Sequence, residues 1–213
     1  MEVFFGNAIL HVLLLHKGPI LEIVVCMADT YIFNEFNQII LHLSRSNNLK
    51  IFIFEIWSPN SRYKLPSLFF SLHGLEHLDL TDCVFEPPLL FNGFSMLRKL
   101  RFHNVDITIK TLLRFLTDCP LLEEFTMNLV DLKDYSGLNL AHLKEFEMTS
   151  FHNYAPEMEF LKLITTKSSL LKEAQIELNT SGSDEEKVQM FQDLLQMPFL
   201  HASLPTEFII ERI

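Results

Sequence analysis

The stretch from residue 75 to residue 102 holds two copies of one six-residue pattern, LEHLDL at Leu75–Leu80 and LRKLRF at Leu97–Phe102. In both copies the first, fourth and sixth residues are apolar and the other three are polar. The pattern recurs at Leu49-Phe52-Phe54, Leu122-Phe125-Met127, Leu143-Phe146-Met148 and Leu171-Ala174-Ile176, with a weaker first copy at Ile20-Ile23-Val25. Successive copies start 29, 26, 22, 25, 21 and 28 residues apart. This spacing indicates a chain built from stacked, similar units.

The position of the apolar residues predicts one short strand in each unit. The fourth and sixth residues lie two apart, so both side chains point to the same side of a strand, and the first residue anchors the turn before it. Such strands are stable only when they stack in parallel and share one core. Because a period of roughly 20 to 29 residues is that of leucine-rich repeats, the sequence predicts an α/β leucine-rich-repeat solenoid. Its parallel sheet should be curved, with helices and loops on the convex side.

The segments between the strands predict what lies on the convex side. Helical spacing of apolar residues predicts four helices, and Ser183 with Glu186 forms a capping-box signature at the start of the last one. The residues on their apolar faces are Phe33, Phe36, Ile40 and Leu43, then Leu112 and Leu116, then Leu161 and Ile164, and finally Phe191, Leu194 and Leu195. Three stretches predict loops instead: Pro87-Pro88 to Gly93, Lys133 to Leu140, and the acidic stretch Thr180 to Glu186.

The composition narrows the class of protein and of partner. The chain has 17 Lys and Arg against 27 Asp and Glu, a net charge of −10, which disfavours nucleic acid as a partner. Its three cysteines are odd in number and form no CxxC pair, which favours a reducing compartment, cytoplasmic or nuclear. The apolar stretch Ala8–Leu15 is too short for a membrane span and lacks the features of a signal peptide. We therefore expect no membrane partner.

Candidate chemical groups favour structural roles over catalysis. His73 and His77 have the i, i+4 spacing of helical metal ligands, but they lie where a strand begins, where that spacing does not converge. Cys83 and Cys119 fit packing positions of the repeat better than reactive ones. The chain contains no GxSxG, HExxH, P-loop or GxGxxG motif. The sequence therefore predicts neither an enzyme nor a metal or cofactor site.

The polar residues between the leucines should form rows, because parallel stacking places equivalent residues of successive repeats side by side. The leading row is Lys50, Glu76, Arg98, Glu123, Lys144 and Lys172, and its charges alternate in sign until the last pair. The second row is Ile51, His77, Lys99, Glu124, Glu145 and Glu173, and the centre row is Ile53, Asp79, Arg101, Thr126, Glu147 and Gln175. We interpret the leading row as cross-strand ion pairs.

The centre row is the predicted binding site for a partner protein. It should line the concave face, where solenoids usually bind their partners. We expect Asp79, Arg101 and Glu147 to be exposed there on one sheet. The predicted partner-binding residues are Asp79, Arg101, Thr126, Glu147 and Gln175.

Several segments resemble plant F-box proteins that carry leucine-rich repeats and a C-terminal FBD region, whose repeats adopt an RNI-like fold. The segments are LLHKGPI at 14–20, ILHLSR at 40–45, YKLPSLF at 63–69, CVFEPP at 83–88, FNGF at 91–94 and CPLLE at 119–123. The stretches FLKLI at 160–164, Lys167-Ser168, Leu171-Lys172, HAS at 201–203 and 207–211 resemble an FBD segment. The resemblance implies a leucine-rich-repeat region at 1–155 and an FBD-like segment at 156–213 that continues the solenoid.

The resemblance also implies a function. Proteins of this family are substrate receptors of Skp-cullin-F-box ubiquitin ligases, in which the F-box docks the Skp adaptor and the repeats hold the target protein. The family's F-box precedes the segment at 14–20 and ends in a Trp-Arg-like signature, whereas the single tryptophan here is Trp57, in the second repeat. We therefore expect this chain to supply the target-binding part, and a Skp adaptor to bind only if an F-box lies upstream. A free-standing interaction module, or a competitor that recruits no ligase, is the alternative.

Overall fold

The computed structural model describes residues 12–13, 15–16, 18–27, 33–46, 48–56, 62–128, 140–179, 183–197 and 207–211. Trp57 lies outside the described residues. The strands are β1 (Glu22–Met27), β2 (Ile51–Ile56), β3 (Tyr63–Lys64), β4 (His77–Thr81), β5 (Cys83–Val84), β6 (Lys99–His103), β7 (Glu124–Asn128), β8 (Glu145–Phe151), β9 (Glu173–Leu178) and β10 (Glu207–Glu211). The helices are α1 (Phe33–Ser46), a 3-10 helix (Ser67–Ser71), α2 (Ile109–Thr117), α3 (Ala155–Lys167) and α4 (Asp184–Leu195).

Eight strands form one parallel sheet, in the order β1-β2-β4-β6-β7-β8-β9-β10. The remaining two, β3 and β5, form a separate parallel pair. Equivalent residues of successive repeats lie directly opposite one another, so that Leu78 faces Phe52 on one side and Leu100 on the other. Strands β9 and β10 follow residue 155 and continue the same sheet. This is the predicted leucine-rich-repeat solenoid.

The core lies along one side of the sheet. Burial alternates along the strands, as in β2, β4 and β6, because successive side chains point to opposite faces. The inward residues belong to one apolar cluster. Those predicted to be buried together are confirmed as buried: Leu78, Leu80, Leu100, Phe102, Phe125, Met127, Phe146 and Met148. The weaker first copy is also a strand, and its Ile23 and Val25 pack partly against the cluster.

The helices cover the core side of the sheet, largely as their periodicity predicts. The buried residues on their inner faces include Phe36, Ile40 and Leu43 of α1, Leu112 and Leu116 of α2, and Leu161 and Ile164 of α3. The last helix differs from the prediction, because only Leu194 of its three apolar residues is buried. Phe191 is 43% exposed and Leu195 is 48% exposed. The predicted capping box between Ser183 and Glu186 is present.

Phenylalanine rings fill the space between the sheet and the convex segments. Phe115 of α2 lies at the centre of one group, with ring centroids at 4.9 Å from Phe85, 5.9 Å from Phe94, 6.1 Å from Phe91 and 6.2 Å from Phe102. The side chain of Phe115 is 1% exposed. These contacts tie a helix, a loop and a strand of neighbouring repeats into one packed unit.

Of the three predicted loops, the one at residues 87–93 is confirmed. Residues 87–93 form turns and irregular backbone without a helix. Gly93 ends this loop at a φ of +75°, and a Cβ built there would lie 2.1 Å from the carbonyl oxygen of Asp118. Glycine is therefore required at this position, for its backbone angle and for the lack of space. Residues 133–139 and 180–182 lie outside the described part, and 184–186 form the first turn of α4 instead of a loop.

A buried carboxylate fixes the start of α3. Glu157 is 4% exposed, and its Oε2 accepts hydrogen bonds from the backbone N–H groups of His152 and Tyr154, both at 3.0 Å. Its Oε1 lies 3.5 Å from Nδ1 of His152. Burial raises the pKa of the Glu157 carboxyl above its ordinary value, although these hydrogen bonds act in the opposite direction.

Among the described residues, no helix is long and apolar enough to cross a membrane.

Candidate protein-binding surface

The second and centre rows lie on the face of the sheet opposite the core, which we call the open face, and the leading row lies just before the strands, at its edge. The backbone register places the residues of each row opposite one another, strand after strand, as the sequence predicts. In the second row, for example, His77 faces Ile51 and Lys99. In the centre row, Arg101 faces Asp79 and Thr126. The side chains of this face therefore come into contact across the strands and not along them.

The leading row forms the predicted ion pairs. Lys50 Nζ lies 2.5 Å from Glu76 Oε1, and Glu123 Oε1 lies 2.9 Å from both Arg98 Nη1 and Lys144 Nζ. The hydrogen bond from Lys144, together with the positive charges of Lys144 and Arg98, lowers the pKa of the Glu123 carboxyl. The interpretation of this row as cross-strand pairs is confirmed. All of its charges except that of Lys172 are paired within the row, which leaves fewer of them for a partner.

The centre row is less exposed than predicted. Asp79, Arg101 and Glu147 are half-buried, and Thr126 is buried at 7% exposure. The prediction that the first three are exposed is therefore wrong, because a neighbouring strand lies about 4.8 Å away on each side and its side chains cover part of them. Thr126 is short and lies between the longer side chains of Arg101 and Glu147. Its hydroxyl donates a hydrogen bond to Glu147 Oε2 at 3.0 Å.

This geometry changes the roles expected of the five predicted binding residues. Thr126 supports Glu147 by a hydrogen bond and offers little surface of its own. Asp79, Arg101, Glu147 and Gln175 keep part of their side chains accessible, and they lie in one row on β4, β6, β8 and β9. Four of the five positions can therefore contact a partner directly.

Burial and neighbouring charges affect the ionisable groups at the middle of the open face. Burial raises the pKa of the Asp79 carboxyl, and His103, Arg101 and His77 oppose that rise. Burial likewise lowers the pKa of His77. Its Nε2 is buried and has no hydrogen-bond partner among the described residues. The stacking of the repeats predicts that His77 lies beside Lys99, whereas the burial of its ring depends on neighbouring side chains that no sequence pattern reveals.

The three cysteines differ in their exposure. Cys83 and Cys119 are buried, and burial raises the pKa of both thiols, that of Cys119 to about 12. Cys26 is an exposed free thiol at the end of β1. No group of three or more His, Cys, Asp or Glu among the described residues could hold a metal ion. The predicted packing role of the two buried cysteines agrees with this placement.

A small cavity of about 130 Å³ lies next to Cys119 and Pro120, where α2 ends. Its other lining residues are Thr117, Leu122, Leu140, Ala141 and His142. Binding pockets for small organic ligands are larger, roughly 300 to 1,000 Å³. The open face is therefore the better candidate for a binding surface.

Comparison with known proteins identifies the repeats. The family described as "FBD-associated F-box protein At5g56370, LRR repeats" matches residues 39–154, which include β2 to β8. The F-box/FBD/LRR-repeat protein At1g13570 of Arabidopsis thaliana is 31% identical over 134 residues, which cover 62% of this chain and 32% of that protein. The alignment thus spans about a third of the relative's length. From the family match and the parallel repeat sheet, the chain belongs to the plant F-box proteins with FBD and leucine-rich repeats, and it contains part of their repeat region.

Proposed function

We propose that this chain is the target-binding portion of an F-box-type substrate receptor of a Skp-cullin-F-box ubiquitin ligase. The observation that supports it best is the open face, where polar and charged side chains of five consecutive strands of the sheet, β4, β6, β7, β8 and β9, lie in register and most keep part of their surface accessible. The helices pack on the other side of the sheet, against the core. A regular, accessible sheet face suits recognition of another protein.

The proposed roles of the individual segments follow those known for the family. An F-box recruits the Skp adaptor, and the open face holds the target through Asp79, Arg101, Glu147 and Gln175, with Thr126 supporting Glu147. The segment 156–213 is proposed to be an FBD-like continuation of the solenoid. The role is binding and not catalysis, as is typical of the family.

The free thiols of Cys26, Cys83 and Cys119 fit a reducing compartment, so we place the protein in the cytoplasm or the nucleus.

Photocrosslinking tests the proposed binding face. A photoreactive phenylalanine analogue replaces Gln175 in one variant and Glu159, an exposed residue on α3, in the control variant. We expect crosslinking in plant cells to yield the same protein from the Gln175 variant and from a Glu147 variant, and not from the control. The captured protein is then purified, and its affinity is measured for the wild type and for Glu147→Lys.

Two results would contradict the proposal. One is equal crosslinking from Glu159 and Gln175. The other is an affinity for the captured protein that does not change in Glu147→Lys while the circular dichroism spectrum stays native. The free-standing module is distinguished by the abundance of the captured protein: a ligase receptor lowers it in a proteasome-dependent way, whereas a module or competitor does not.

A further inference from the structure

The open face changes in chemistry from one end of the sheet to the other. At the first two strands its centre is apolar, with Val24 of β1 at 54% exposure and with Ile51 and Ile53 of β2 half-buried, and Glu22 and Glu55 flank this centre. The middle strands carry both signs of charge, as in the register pair Asp79 and Arg101. We call residues 24, 51 and 53 the apolar part. A surface that changes in this order can distinguish the two directions of a bound chain.

The last strands make the other end strongly acidic. On β7, β8 and β9 the accessible glutamates of the open face are Glu124, Glu145, Glu147, Glu173 and Glu177, which we call the acidic part. Three of them lie directly opposite one another, Glu124 facing Glu145 and Glu145 facing Glu173. Like charges in that arrangement destabilise a sheet. The register continues into β10, whose Glu207 is opposite Glu173.

The chain's own cations leave most of this charge unpaired. Lys99 forms an ion pair with Glu124, and Lys144 is engaged by Glu123 of the leading row. Lys172, at the border of the acidic part, is exposed and forms no ion pair among the described residues. Glu145, Glu147, Glu173 and Glu177 likewise have no ion pair there. The repulsion along this row would be relieved by positive charges from a partner.

The distance between the two ends follows from the strand order. From Ile53 of β2 to Glu147 of β8 the sheet has four strand-to-strand steps, which at about 4.8 Å each span about 19 Å. An extended chain rises about 3.3 Å per residue, so about six residues cover that distance. We propose that the open face binds an extended segment of a partner protein in which a cluster of Lys or Arg lies about six residues from an aliphatic side chain. This inference rests on the proposed function and specifies the partner that the face accepts.

Fluorescence anisotropy with defined peptides tests the proposal. The probe is a labelled peptide with three lysines, a six-residue Ser/Gly spacer and one leucine, and the full 213-residue chain is the receptor. We expect Glu145→Gln combined with Glu173→Gln to raise the Kd about three- to tenfold, since each exposed ion pair contributes modestly. The matched control combines Glu159→Gln with Glu185→Gln, which removes the same net charge from exposed positions on α3 and α4 and should leave the Kd unchanged.

The apolar part is tested with the same probe. Val24→Ser should weaken binding of the leucine peptide and have no effect on a peptide with serine in place of leucine. If the Glu145/Glu173 and Glu159/Glu185 variants lose affinity for the peptide equally, the proposal is wrong, because attraction to the net charge alone would explain both losses. Thermal unfolding of each variant confirms that the fold is intact.

Selection from a random peptide library separates this inference from the proposed function. If the selected peptides carry a basic cluster and lose binding to the Glu145/Glu173 variant, both are supported. If they bind the open face, as shown by sensitivity to Arg101→Glu, but carry no basic cluster, the inference is wrong and the proposed function stands. If selected peptides are indifferent to every open-face variant, both are wrong.

Discussion

Phe115 is the side chain whose removal should most directly weaken the stacking of neighbouring repeats. It projects from α2 into a group of four other phenylalanine rings, which belong to a loop and a strand of adjacent repeats. The substitution Phe115→Ala keeps a residue with high helix propensity, so the helix itself should not be impaired. The effect therefore reports on packing between the helix and the neighbouring segments.

The expected loss is about 3 to 5 kcal/mol of unfolding free energy, the usual range for a buried Phe→Ala change. The ring is 1% exposed, so almost all of its apolar area is removed from water. Four ring centroids within 6.2 Å add edge and stacking contacts that an alanine cannot make. These contacts place the expectation in the upper half of the range. Phe115→Leu retains most of the volume and should cost about half as much.

Urea unfolding followed by far-ultraviolet circular dichroism measures the change. Phe191→Ala is the matched control, since it makes the same chemical change on α4 at a side chain that is 43% exposed. We expect the control to lose no more than about 1 kcal/mol, because surface substitutions have small effects. If Phe115→Ala and Phe191→Ala destabilise the chain equally, the ring cluster does not hold the repeats together, and the reasoning is wrong.

Three further changes have separate physical causes. Gly93→Ala should cost about 1 to 3 kcal/mol and lower the melting temperature, because of its positive φ and the clash with Asp118; an unchanged melting temperature would contradict this. In the wild type the pKa of the Glu157 carboxyl is raised on folding, so the folded chain binds more protons than the unfolded chain, and the free energy of unfolding falls as pH rises from 4.5 through the folded pKa. Glu157→Gln removes this titration and should flatten the pH dependence of stability. In the native chain Ellman's reagent should modify Cys26 alone, and all three thiols after unfolding; rapid labelling of Cys119 would contradict its burial.

The apolar periodicity carries most of the information about the fold. Leu78, Leu100 and Phe125 could be assigned to one side of a shared sheet because parallel strands of equal length allow a single register. Helix α2 was predicted from the spacing of Leu112 and Leu116, since both face the sheet at helical period. Those features depend on patterns within and between repeats, which the sequence displays directly.

Other features depend on neighbours that no pattern reveals. Phe69 and Phe70 could not be assigned from the sequence, and both are buried because a 3-10 helix turns them toward Phe94 and Phe85. The expected exposure of Asp79, Arg101 and Glu147 is wrong for a related reason, since all three are half-buried. A strand pattern specifies which way a side chain points, whereas its accessibility depends on the lengths of the side chains next to it.

The leading and second rows show how register separates packing from binding. In the leading row Arg98, Glu123 and Lys144 alternate in sign, so each charge has a partner within the sheet. In the second row Glu145 and Glu173 meet in register with the same sign, at a cost to stability. An arrangement that served the fold alone would alternate along the whole of the second row. The like-charged row is therefore where a partner's positive charges would stabilise the sheet and the complex together, which connects the repeat pattern to the proposed binding function.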